Sequence, residues 1–551
     1  MLLVYGPRST DYDFGPGHPL TPRRFGPGID LLRAVGAEPA LAPEPAMDEE
    51  LRWCHERRYI EAVRRTSTAP YGPSAAGIGE GGDDPPFAGM HEASAAVAGG
   101  SIRAMEAILR GDVEHAYHPG GGLHHAMADR ASGFCIYNDP ALAIARARRD
   151  GLRVMYIDLD VHHGDGVQAL HWTDSGVMTF SIHESGRTLF PGSGFADEVG
   201  EGSAAGTSVN VALPAGTGEA AWLDALRTLL PELAATFGPD VIVSQHGADS
   251  HAWDPLANLA ITTTAHGAAA RLVDRLAHRH AGGRWLATGG GGYDAYRVVP
   301  RTWALTFLAG AHREVPRETP LAWRERWAAE AARYGQAALP ATFDDSPDAG
   351  EVLDPRTQDR ARAVAAEVRA ALVPRLVREA TDRGWWEPRV GVGLAQADDR
   401  PATADASSAT TAPREDATPT VVSALDRATW DGLRLVPRVI APFDPVLAHG
   451  IVANAIEAGA TVSAAVVGSS IVIGLALRLE ADLLAIGVAP AWRRQGLASA
   501  LVGSLGDGHL AIEWTVAERD VIEPLDVADR RVVARRLADR RARRSTPPSA
   551  T

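Results

Sequence analysis

Asp158, Asp160 and His162 alternate along the stretch VMYIDLDVHHGDG, residues 154–166, which opens as an apolar strand should. A strand continued through it would point all three to one side, with Ile157, Leu159 and Val161 on the other. Ionisable groups crowded on a covered strand are costly unless balanced. A bound cation balances them, and a buried ion pair at the strand end is the plainer alternative. Other segments add to the count: QHGADSHAWDP offers Asp249 and Asp254, HPGGGLHHA carries His124 and His125, and TGGGGYD presents Tyr293. From these parts Asp160, His162 and Asp254 make a three-ligand zinc site with a position open to water. Such an ion polarises a carbonyl and brings the pKa of a bound water to about 7 in favourable cases. His124 and His125 then serve as general base and general acid if carboxylates orient them, and Asp158 and Asp165 are placed to do so. Tyr293 donates a hydrogen bond to a developing oxyanion. The chemistry these residues predict is metal-assisted amide hydrolysis. No G-x-S-x-G occurs, and the pairs in HERRY and HEASA lack the second histidine of a zincin helix.

The elements that must position these side chains are legible as apolar runs at 154–160, 177–183, 208–214, 240–247 and 284–292. Between several of them lie stretches of helical period such as EAAWLDALRTLLPELAATF. The alternation predicts an α/β fold, a mostly parallel sheet with helices on both faces. In such sheets ligands gather at the carboxyl ends of the strands. The chemically richest residues follow those ends.

With 551 residues, 45% apolar and 22% charged, the chain has the composition of a globular protein of more than one domain. No apolar run is long enough to span a membrane and no secretory signal is recognisable, so a cytoplasmic location is expected. Cys54 and Cys135 are the only cysteines, too few for a thiolate zinc site, which leaves metal chemistry to histidine and carboxylate. A formal charge of −15 argues against nucleic acid as a partner. All 54 basic side chains are arginine, so no lysine is present to be acetylated. Residues 395–420, poor in large apolar side chains, read as a disordered linker between a domain at 1–394 and another at 421–551, which ends in an Arg-rich tail.

Taken together, GPGHPLTPRRF, HPGGGLHHAMADRASGFCIYNDPALAI, YIDLDVHHGDGVQ, SIHESGRTLFPGSG, QHGADSHAWDPL and GGGGYD resemble the zinc-dependent histone deacetylase family. The resemblance is nearest to its bacterial acetoin-utilisation (AcuC-type) branch and extends over about residues 1–390. It implies an arginase/deacetylase-like fold, with Asp160, His162 and Asp254 on zinc, or on iron in its place. It also implies His124 and His125 as the catalytic pair, Asp158 and Asp165 as their partners, and Tyr293 beside the substrate carbonyl. Gly133, Phe134 and Phe190 match a tunnel for an acetyl-lysine stem, Asp83 (with Asp84 adjacent) a substrate-holding rim, and Arg24 the foot of an internal channel. A structural potassium ion on Asp158, Asp160, His162 and Ser181 is implied as well. GADSHAWDP does not reproduce the D-x-D-x-x-D-P run of the two-metal ureohydrolases, so one catalytic metal is expected. The implied substrates are acetylated proteins, for instance metabolic enzymes such as acyl-CoA synthetases, or acetylpolyamines.

Beyond the linker, residues 460–502 resemble the acetyl-CoA-binding segment of GNAT-type acetyltransferases, an α+β domain. Val488, Pro490, Trp492, Arg493, Arg494, Gly496 and Ala498 match its motif, with the pyrophosphate expected on backbone amides at a helix start. The last tyrosine of the chain is Tyr334, so a tyrosine general acid is missing, and Glu480 is a weak candidate base. Acetyl-CoA binding is the expectation, with acetyl transfer and a purely sensory or docking role both open.

Overall fold

The computed structural model describes residues 1–70, 75–79, 83–336, 338–345 and 354–382, and beyond them 420–422, 434–435, 456, 461–467, 471–479, 482–488, 515–516 and 522–523. The chain divides into two units, Met1–Ala380 and Thr381–Thr551.

In the first unit the apolar runs become strands of one sheet: β1 (Leu2–Val4), β2 (Pro39–Leu41), β3 (His115–His118), β4 (Val154–Asp158), β5 (Val177–Glu184), β6 (Ser208–Leu213), β7 (Val241–Gln245) and β8 (Trp285–Thr288). Their order is β2-β1-β3-β8-β7-β4-β5-β6, and every pairing is parallel. A parallel sheet is covered on both faces, which is why β4, β5 and β7 are buried at every residue. On one face Val154, Tyr156, Val241 and Val243 pack with Met105 and Ile108 of the helix Met90–Leu109 and Ile144 and Ala147 of the helix Asp139–Arg149. The helices Thr263–His280 and Val299–Gly310 pack together and cover the other face against β7 and β3. The run EAAWLDALRTLLPELAATF forms the helix Glu219–Phe237.

One expectation needs correcting. The strand stops at Asp158, so Asp160 and His162 stand on the loop that follows it. Carboxylates intercept the amides that a longer ladder would use. Asp158 Oδ1 accepts from Asp160 N (3.2 Å), Asp249 Oδ1 from Val161 N (3.0 Å) and Asp160 Oδ1 from His162 N (3.0 Å). The same acids that make the site end the strand.

The loop after β7 is anchored by a buried ion network. Asp345, its side chain 1% exposed, accepts from Arg301 Nη1 (2.6 Å), His251 Nε2 (2.8 Å), and the amide and hydroxyl of Thr263 (both 2.8 Å). Burial works against the charged carboxylate, but His251 and Arg301 outweigh it and hold Asp345 well below the usual carboxylate range.

In the second unit Thr461–Val467, Ile471–Leu479 and Asp482–Val488 form an antiparallel sheet, flanked by Thr420–Val422 and Arg434–Leu435. Apart from Thr420, the predicted linker lies outside the described residues, as do the Arg-rich tail and Glu480.

Asp345→Ala leaves the Arg301 guanidinium buried without its carboxylate and is expected to cost about 3–5 kcal/mol in chemical denaturation at neutral pH. Because the folded-state pKa of Asp345 is depressed, its contribution is full above the unfolded value near 4 and is lost as pH falls below it. The deficit of the variant therefore shrinks in acid, and an unchanged deficit at pH 3 contradicts the assignment.

Candidate metal centre and active site

Four strand ends supply the site. His124 and His125 lie on the glycine loop after β3, Asp158 to Asp165 at the end of β4, Asp249 and Asp254 after β7, and Tyr293 after β8. His124, His125, Asp160, His162 and Tyr293 line a pocket of about 280 Å³, with Leu20, Gly133 and Phe134 among its walls.

At its foot His162 Nδ1 lies 3.1 Å from Asp160 Oδ1 and 3.1 Å from Asp249 Oδ2. The outer oxygens of both acids are already engaged. Asp160 Oδ2 accepts from Gln245 Nε2 (2.6 Å) and Gly291 N (2.9 Å), and Asp249 Oδ1 accepts from Val161 N. One imidazole nitrogen and one oxygen from each acid are thus left converging within 4.8 Å of one another. Ligands at 2.0–2.2 Å from a tetrahedral ion lie about 3.3–3.6 Å apart, so these separations fit a zinc-sized cation. The site is cation-seeking. Burial disfavours a charged His162, yet Asp160 and Asp249 overcome it and lift the group to about 10. Burial and the nearby Asp160 charge push Asp249 up to about 6.

Asp254 falls outside the converging group, and its oxygens accept from Leu256 N (3.0 Å) and Tyr293 N (2.8 Å). It fixes the backbone that carries Tyr293.

Two carboxylates hold the histidine pair. Asp158 Oδ2 holds His124 Nδ1 at 2.7 Å and also accepts from the Tyr156 hydroxyl (2.7 Å), while Asp165 Oδ1 holds His125 Nδ1 at 2.7 Å. Each ring is thereby turned so that its Nε2 points inward, and the two Nε2 atoms are 3.0 Å apart. Their environments diverge. Burial opposes charge on both, but the carboxylates of Asp158 and Asp160 lift His124 to about 9. Burial, together with the charges of His124 and His162, drives His125 well below its usual value. A pair split in this way offers one proton donor and one acceptor. Burial and the surrounding carboxylates raise the Tyr293 phenol well above its ordinary value, so it remains an O–H donor.

Gly133 and Phe134 both adopt positive φ, +54° and +69°. For a phenylalanine that conformation costs about 1–3 kcal/mol. It brings the Phe134 ring edge-on to Tyr293 (5.9 Å between centroids) and against His18 (4.5 Å). A Cβ on Gly133 would meet His125 at 2.6 Å and Phe190 at 2.7 Å, and Phe190 stands edge-on to His125 at 4.9 Å. Asp83 is half-buried, its carbonyl 3.1 Å from His18 Nε2, while Asp84 is buried. Arg24 is buried and donates to the Gly290 carbonyl (2.7 Å). Asp158 and Ser181 are paired neighbours on β4 and β5. Gln245, Tyr156 and His18 were not singled out by sequence, since neither their types nor their spacing distinguish them from core residues. Val488 ends its strand, while Arg493, Arg494, Gly496 and Ala498 lie outside the described residues.

A family model described as histone deacetylase domain matches residues 18–309. The chain is 42% identical over 354 residues to the acetoin utilization protein AcuC of Bacillus subtilis (strain 168), covering 63% of this chain and 90% of that protein. It is 36% identical over 349 residues to the protein of the same name from Staphylococcus xylosus, covering 62% and 90%. Among solved structures, an HDAC homolog complexed with SAHA aligns with a TM-score of 0.58 at 30% identity, over 66% of this chain and 99% of that one. An HDAC homolog from Aquifex aeolicus aligns with a TM-score of 0.58 at 29% identity, over the same shares.

A Cβ on Gly291 would collide with Asp249 Oδ2 and lie 3.0 Å from Asp160 Oδ2. Gly291→Ala is therefore expected to weaken zinc binding by about 10–100-fold, the loss typical of disturbed ligand support, with circular dichroism unchanged. Titration of the metal-free variant against a competing chelator checks it, and wild-type affinity contradicts the ligand set.

Proposed function

The chain belongs to the histone deacetylase family and is a deacetylase, a hydrolase of acetyl amides, and we propose that it removes acetyl groups from lysine side chains of proteins using one zinc ion held by Asp160, His162 and Asp254, with Asp249 beside His162. The observation that carries this reading is the convergence of buried acids on His162, Asp160 and Asp249 within 4.8 Å and Asp254 on the same loop as Asp249, at the foot of a pocket that the histidine pair and Tyr293 also line. Zinc would supply Lewis acidity there, polarising the acetyl carbonyl and acidifying the attacking water, and iron is an alternative occupant of the same N/O donor set. In this reading the histidine pair takes a proton from that water and returns one to the leaving amine, so that amide and water become acetate and amine. Asp158 and Asp165 hold the two rings in the orientation this needs. The Tyr293 hydroxyl donates to the oxyanion as it forms. Gly133, Phe134 and Phe190 form the walls along the apolar stem of the side chain, and Asp83 lies at the rim. Potassium near Asp158 and Ser181 belongs to the same reading, as a structural ion. No helix among the described residues is long and apolar enough to cross a membrane, which accords with an enzyme working on proteins in the cytoplasm.

Deacetylation of an acetyl-lysine peptide by the zinc-loaded chain is expected to fall to background in Asp160→Ala and by about 10²–10³ in kcat in Tyr293→Phe. Parallel assays on acetylpolyamines decide the substrate class: a higher kcat/KM on the polyamine overturns the protein-lysine assignment.

We read the second unit as a GNAT-like acetyl-CoA-binding domain. Its support is the motif from Val488 to Ala498 together with the antiparallel strands that lead into it. Acetyl-CoA is expected to raise the melting temperature of the full chain, and the rise is expected to disappear in Arg493→Ala/Arg494→Ala. Turnover on lysine peptides then separates a transferase from a sensor, and no thermal shift with acetyl-CoA contradicts the reading.

A further inference from the structure

At the opposite ends of the strands from the pocket, four side chains from three separate segments meet. His115 is the first residue of β3, Asp274 and His278 lie one turn apart on the helix Thr263–His280, and His312 follows the helix Val299–Gly310. Asp274 Oδ1 lies 3.0 Å from His312 Nε2, 3.3 Å from His115 Nε2 and 3.6 Å from His278 Nε2. His278 Nε2 is in turn 3.1 Å from the Nε2 of both His115 and His312. All four atoms fall within 4.8 Å of one another.

Protons alone serve this arrangement poorly. A single carboxylate oxygen has two lone pairs for three imidazole nitrogens, and two Nε2 atoms at 3.1 Å need one N–H facing one lone pair. The second demand falls on His278 twice. A divalent ion at the centre meets them at once, because each imidazole then turns a bare Nε2 inward and the carboxylate supplies one oxygen. The geometry is close: of the five separations above, 3.3 and 3.6 Å fall on the edges of about 3.3–3.6 Å expected around a tetrahedral zinc ion, and 3.0, 3.1 and 3.1 Å lie just inside them. His115 stands edge-on to both neighbours, at 81° to His278 and 90° to His312. His312 reaches the cluster from a backbone φ of +52°, uncommon for a residue other than glycine.

We propose that His115, Asp274, His278 and His312 form a second metal site, specific for a zinc-class divalent ion and separate from the catalytic centre. Four protein ligands close the coordination shell and leave no position for a substrate, which makes the site structural. Its ion ties the start of β3 to the helix Thr263–His280 and to the segment after the helix Val299–Gly310.

Metal analysis of the full chain, loaded with zinc and then freed of loosely held ions by gel filtration, tests the proposal. His278→Ala/His312→Ala is the informative variant because both side chains are exposed, 39% and 53%, and their loss leaves the core intact. The variant is expected to hold one zinc per chain fewer than the wild type, to deacetylate at an unchanged rate, and to lose several degrees of the thermal stabilisation that zinc gives the wild type. Cobalt loading of Asp160→Ala/Asp249→Ala is expected to give the intense visible bands of a tetrahedral N/O site, and these bands vanish when the two histidines are also replaced. Equal zinc content in wild type and His278→Ala/His312→Ala overturns the proposal, whatever the occupancy of the catalytic centre.

Discussion

Two buried carboxylates drawn up to one imidazole form the constraint on which the first unit is built. Asp160 and Asp249 are 1% and 0% exposed, so their charge must be met by protein donors on one side and a cation on the other. Gln245, Gly291 and Val161 meet the outer oxygens, and each of these donors comes from a different strand end. The termination of β4, the glycine run after β8 and the buried glutamine at the end of β7 are all answers to this electrostatic demand.

The same economy governs the neighbouring groups. Asp158 accepts from His124, Tyr156 and the amide of Asp160, so one carboxylate orients a histidine and shapes the loop that carries the ligands. Asp254 positions Tyr293 through its backbone, and the Arg301–Asp345 pair secures the segment between. The strained Phe134 backbone fits this pattern: local strain at a pocket wall persists because the surrounding contacts over-determine it.

Much of the architecture could be read from periodicity. The apolar runs of β4 to β8 and the helix Glu219–Phe237 stand where alternation and helical period place them, since a covered parallel sheet leaves long hydrophobic signatures. The strands β1 to β3 are three or four residues long and carry too few side chains to show a period. Within the site, the histidine pair and its aspartates were legible because each lies close in sequence to a strand end. The third acidic ligand is less distinct: GADSHAWDP offers two aspartates of equal chemistry within six residues, and spacing alone does not rank them. Long-range contacts are harder still. Of His115, Asp274, His278 and His312, the pair spaced four apart on one helix is all that a linear reading presents.

A sheet whose strands all run one way has two unlike rims. The rim at the carboxyl ends holds the pocket, and the rim at the amino ends holds three imidazoles, two of them exposed, well away from it. With the cluster's own ion stripped away, a surface bearing immobilised nickel or cobalt chelates, pressed against His278 and His312, would grip the chain by its back. The molecules of such a layer would share one orientation, with their pocket mouths turned toward the liquid.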